Sequence, residues 1–137
     1  MKLIIITLVM LIVSGSVAFA AGRNERVETS APVAVDESLG SEQLAEIIAS
    51  EDPDTYLVDV RTEAEYNAGA IPTAVNVPFD VIADNLPTED RSARIIVYCR
   101  SGNRSGIAQD TLEGLGFTNV TNFGAVSNWQ GELEVRQ

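Results

Sequence analysis

An α/β fold built on a largely parallel sheet is what the sequence predicts, and three observations carry it. Short apolar runs of strand type alternate with segments of helical periodicity. The run Ile95-Ile96-Val97-Tyr98 is continuously apolar and rich in branched residues, as a strand buried on both faces requires. The chain passes from that strand through a small polar loop into a helical segment, the order expected of a parallel layer structure.

The elements follow in chain order. Lys2 precedes an apolar stretch from Leu3 to Val13, then Ser14-Gly15-Ser16, and the segment ends at Ala18-Phe19-Ala20. This is the pattern of a secretory signal peptide over residues 1–20, with small residues at Ala18 and Ala20 placing the cut after Ala20. Against an uncleaved anchor, Leu3 to Val13 is too short for a hydrocarbon core of about 30 Å, and an extension to Ala21 takes in the Ser-Gly-Ser break. The expectation is a periplasmic or secreted protein with no stable membrane insertion after cleavage. Residues 21–37 are polar and read as a flexible linker, within which Val33-Ala34-Val35 is a candidate short strand. The folded domain is expected over residues 38–137.

Ser41 is the expected N-cap of a helix carrying Leu44, Ala45, Ile47 and Ile48 on one face, ending before Asp52-Pro53-Asp54. Tyr56 to Val60 is a strand. Thr62 and Glu65 form a capping box opening a short helix that Gly69 closes. Ala74 to Val77 is a second strand, and Phe79 to Leu86 a further short helix before Pro87. After the strand Ile95 to Tyr98, the residues Ile107, Ala108, Thr111, Leu112 and Leu115 recur at helical spacing, with Gly116 as the stop. A last strand, Asn119 to Asn122, leads to Gly124 and a short helix around Trp129.

Composition narrows the chemistry. The 137 residues carry a formal net charge of −11. After Lys2 the only basic side chains are eight arginines, which argues against nucleic acid as a partner. Histidine is absent, so a Ser-His-Asp or Cys-His apparatus is excluded, as are the commonest zinc sites; no metal and no cofactor is expected. Cys99 is the only cysteine and cannot form an internal disulfide, and a lone thiol in an exported chain calls for a reason.

The neighbours of Cys99 supply that reason. It stands at the end of a strand, where ligands gather in parallel α/β sheets. The loop Arg100-Ser101-Gly102-Asn103-Arg104 is small and polar, and Gly102 permits a conformation that turns successive amides inward. Backed by a helix starting near Ser105, this is an anion cradle. The helix dipole and the guanidinium groups of Arg100 and Arg104 are expected to favour the thiolate of Cys99, the reactive species. Ser101, Gly102 and Asn103 shape the cradle, and Ser105 reads as an N-cap. Asp59 and Arg61 end a strand at the same sheet edge and read as rim supports, with Arg61 expected to pair with Glu65 and Asp59 to accept loop amides.

The ordered set Asp59-Val60-Arg61, Glu65-Tyr66, Gly69 to Ala74, Cys99 to Ser105, and Gly124 ahead of Trp129 resembles a single-domain rhodanese, with small exported rhodaneses of the phage-shock type as the architectural match. Many members carry a histidine where Ala70 stands. The resemblance implies a parallel sheet of four to five strands with helices on both faces, with Val33 to Val35 as the candidate edge strand. It implies a sulfurtransferase: Cys99 takes a sulfane sulfur from a small anionic donor such as thiosulfate, held by Arg100 and Arg104, and passes it from a persulfide to cyanide or a thiol. A persulfide carrier serving a partner protein is the nearest alternative. Phosphatases and arsenate reductase-like enzymes of related type place arginine six positions after cysteine; here that position is Ser105 and the arginine falls at Arg104. The tighter loop suits a persulfide.

Overall fold

In the computed structural model the described residues are 38–137. Elements run α1 (Ser41–Ala49), β1 (Thr55–Asp59), α2 (Glu63–Ala68), β2 (Val75–Asn76), β3 (Arg94–Cys99), α3 (Asn103–Gly114) and β4 (Val120–Ala125), followed by a 3₁₀ turn at Val126–Asn128. The four strands form one sheet in the order β2-β1-β3-β4, every pair parallel. The expected α/β class and parallel sheet are therefore present. The residues read as signal peptide and linker, and the candidate strand Val33 to Val35, lie outside the described residues.

Strand alternation divides the core in two. Ile95, Val97 and Cys99 of β3 point to one face, where they meet Val58, Ala108, Leu112 and Phe117. Ile96 and Tyr98 point to the other, against Leu44, Leu57, Ile71 and Phe123. Helix α3 thus covers the Cys99 face and α1 the opposite one, so β3 is buried on both sides as its unbroken apolar run requires. Trp129 packs on the α1 side, away from the cluster that contains Cys99.

Several boundaries differ from the sequence reading. Phe79 to Leu86 is not a helix but a string of turns, closed by Val81 N to Pro78 O, Asp84 N to Val81 O and Asn85 N to Ile82 O. The Asn85 side chain takes Val81 O at 3.0 Å, the position a helical amide would use, and buried Ile82 pins the segment to the core. Strand β2 shrinks to two residues because Ala74 N turns back to Ile71 O, although Val77 N still reaches Asp59 O at 3.0 Å. Gly40, not Ser41, is the N-cap of α1; the Ser41 hydroxyl instead accepts the Gln130 amide at 2.8 Å.

Helix α3 begins at Asn103, earlier than expected, because Gly102 with φ +94° takes the N-cap position in the left-handed region. Its inward stripe is Ser105, Ala108 and Leu112, whereas Ile107 and Leu115 face outward. Strand β4 runs past Asn122 through an irregularity: Val97 pairs with Asn122 but Tyr98 with Gly124, and the skipped Phe123 drops into the α1-side core. That bulge sits beside the end of β3. Among the described residues no helix is long and apolar enough to cross a membrane.

Candidate active site

Cys99 is the last residue of β3 and is fully buried. The chain then reverses over it: Gly102 N donates to Cys99 Sγ at 3.0 Å, and the Ser105 hydroxyl lies 3.4 Å from the same sulfur. The positive φ of Gly102 makes this reversal possible, and its Cα side lies against Gly124, where an added Cβ would sit 3.5 Å from the Gly124 Cα. The two glycines of the motif thus meet where loop and β4 touch.

Burial pushes the Cys99 thiol up, and the Ser105 hydroxyl with the amides of Ser105, Ser101 and Gly102 more than reverses this, so the thiol titrates below its ordinary value. The direction is the one the sequence predicts. The leading causes differ, since a hydroxyl and inward amides come first, with Arg104 adding charge at longer range. Ser105 is correspondingly not an N-cap but a buried third residue of α3, its hydroxyl also 3.0 Å from Gly102 O.

The carboxylate–arginine pairing also departs from expectation. Arg61 does not pair with Glu65. It forms a buried pair with Asp59, Nη2 to Oδ2 at 2.6 Å with Nε shared between both carboxylate oxygens, and Asp59 further accepts the Arg61 amide at 2.9 Å. The remaining Nη2 bond goes to Gly69 O at 2.7 Å, tying the end of α2 to the sheet edge. The Arg61 guanidinium also lies 5.7 Å from the centre of the Tyr98 ring, and the Tyr98 hydroxyl accepts the Ile71 amide. Asp59 and Arg61 therefore brace the end of β1 against the end of α2.

Glu65 binds Arg104 instead, with Nη1 to Oε2 at 2.8 Å and Nη2 to Oε1 at 3.0 Å. The expected capping box is present, since Thr62 N donates to Glu65 Oε2 and Glu65 N to the Thr62 hydroxyl. One carboxylate thus caps α2 and grips α3. The Arg104 bond, ahead of the Thr62 contacts, holds the Glu65 carboxyl down at about 2 despite partial burial. Arg100, Ser101 and Asn103 are exposed on the loop. Glu65 and the thiol contact of Ser105 are what the sequence reading missed. The only sequence signal for Glu65 was local, its place in the capping box.

A strand-end cysteine under a five-residue loop of inward amides, at the carboxyl edge of a parallel sheet, is matched by a family model for the rhodanese-like domain over residues 41–132. The chain belongs to the rhodanese family. Among relatives of this rhodanese, a Saccharomyces cerevisiae protein named thiosulfate:glutathione sulfurtransferase is 31% identical over 107 residues, covering 68% of this chain and 77% of the relative. A sulfurtransferase of Allochromatium vinosum is 35% identical, covering 66% and 85%. Among solved structures, a rhodanese-like domain protein from Staphylococcus aureus superposes with a TM-score of 0.61 at 31% identity, over 72% of this chain and 96% of that one. The fold is the one these rhodaneses share, and sulfur transfer is the family function its relatives carry.

Proposed function

We propose that this rhodanese moves a sulfane sulfur from thiosulfate, or a similar anionic donor, through a Cys99 persulfide to cyanide or a thiol. The carrying observation is the Gly102 amide aimed at Cys99 Sγ from 3.0 Å, inside a loop whose other amides and Ser105 hydroxyl also favour negative sulfur. Cys99 thiolate attacks the outer sulfur of thiosulfate; the S–S bond breaks and its electron pair leaves with sulfite. The terminal sulfur of the persulfide then transfers to the acceptor, and the Cys99 thiolate returns. The amides and hydroxyl that lower the thiol's titration favour the thiolate, the form that attacks.

In this reading Arg100, exposed beside Cys99, meets the donor; Arg104, anchored to Glu65, contributes only a reduced field; and Ser101, Gly102 and Asn103 supply the cradle. The leader-like residues 1–20 support a place outside the cytoplasmic membrane, periplasmic or secreted. The test is a steady-state assay with thiosulfate and cyanide on the wild type, Cys99→Ala and Cys99→Ser. Turnover in the wild type and none in either variant is expected; turnover surviving in a variant sinks the reading.

A further inference from the structure

Charge around the loop is almost fully compensated. Arg61 is spent on Asp59 at 2.6 Å and Arg104 on Glu65 through two bonds. Arg104 also feels the negative charges of Cys99 and Asp59, so it lies within electrostatic reach of the nucleophile. Arg100 is exposed and has no ion-pair partner among the described residues. Glu65 in turn cannot readily swing away. Its Oε2 also accepts the Thr62 amide and hydroxyl, each at 3.0 Å, which fastens the carboxylate to the start of α2.

We propose that Glu65 is a specificity-determining residue: by masking the charge of Arg104 it leaves the cradle with one uncompensated guanidinium, that of Arg100, and so shifts donor preference from dianions toward sulfane donors carrying a single negative charge. A carboxylate bound bidentately turns a cation into a dipole, whose field falls off faster than that of a free charge. The second charge of thiosulfate then finds no free partner, whereas a persulfide or thiosulfonate anion asks for only one. The inference rests on the reading of Cys99 as a sulfur-accepting nucleophile.

The experiment uses the full chain with Glu65→Gln. Glutamine at the third helical position still serves a capping box, so the start of α2 is retained. Glu63→Gln removes an equal charge from the same turn without touching Arg104. Because Cys99 is the only cysteine, thiolate absorbance near 240 nm titrates that sulfur alone and needs no turnover. Unmasking Arg104 should move the thiol titration to lower pH. It should also lower the thiosulfate KM roughly three- to tenfold with kcat held within about twofold, and lower the KM for monoanionic benzenethiosulfonate less. Glu63→Gln should change neither.

A thiol titration that stays put or moves up in folded Glu65→Gln overturns the masking. A thiosulfate KM that fails to fall, or falls no more than that of benzenethiosulfonate, overturns the specificity role. If the titration moves as expected while the wild type turns over neither donor, sulfur transfer from these donors is what fails and the masking stands. Should the glutamine variant not fold, Glu65→Asp carries the same test, since the shorter side chain draws its carboxylate back from the Arg104 guanidinium; the changes keep their direction and are smaller.

Discussion

The Ser105 hydroxyl accepts from the Cys99 thiol, 3.4 Å away, and gives its own single proton to Gly102 O at 3.0 Å. While Cys99 is a thiol, the sulfur donates to Ser105 and Ser105 to Gly102. Once the sulfur is negative, the hydroxyl turns to it. Ser105→Ala removes that donor and leaves burial less opposed, so the thiol titration moves to higher pH. At neutral pH the thiolate reaction slows by roughly tenfold, as loss of one hydrogen bond to a charged group implies. Iodoacetamide labelling rates across pH check this; an unchanged profile refutes it.

The buried Asp59–Arg61 pair should behave as a structural unit. Removing one partner strands the other charge away from water, so Arg61→Ala or Asp59→Ala is expected to lower stability by about 3–5 kcal/mol. Urea denaturation measures it. A loss under about 1 kcal/mol would mean the pair is relieved by solvent entry.

Acid should weaken the link between α2 and α3. The folded Glu65 carboxyl sits at about 2 against an ordinary 4.5, so its contribution is complete above about pH 4.5 and fades as pH falls toward 2. Denaturation midpoints of wild type and Glu65→Gln should therefore differ most at neutral pH and converge at the acid end. A constant gap from pH 6 to pH 2.5, roughly the window that the shift defines, would contradict the linkage.

Thr73 is held at φ +71° as the third residue of a turn closed by Ala74 N to Ile71 O, with Pro72 at the second position. A β-branched residue there is strained, and glycine is what such a turn favours. Thr73→Gly should raise stability by roughly 0.5–1 kcal/mol, the relieved strain less the extra freedom of the unfolded chain. A lower midpoint in urea would show that Thr73 contributes contacts outweighing its backbone cost.

Much of this was legible in the sequence because it depends on near neighbours in the chain. The apolar run of β3 marks burial on both faces, the Thr62–Glu65 spacing marks a helix start, and the small residues after Cys99 mark a loop that can turn its amides inward. Phe79 to Leu86 misled because its composition suits a helix, while Asn85 bonding to Val81 O and the short polar residues around it favour turns. Ser105 misled because serine is a common N-cap; the left-handed Gly102 had already taken that position, which turned the Ser105 hydroxyl inward to the sulfur.

By itself the sequence determined the parallel α/β class, the lone cysteine at a strand end, and a small polar loop with arginine five positions after that cysteine. Each is a matter of periodicity or local spacing. Only the tertiary structure decided how the charges pair: Glu65 with Arg104 across 39 positions, and Asp59 with Arg61. Charge partners are chosen by distance and burial in space, and those follow from where α2 and α3 meet at the edge of the sheet.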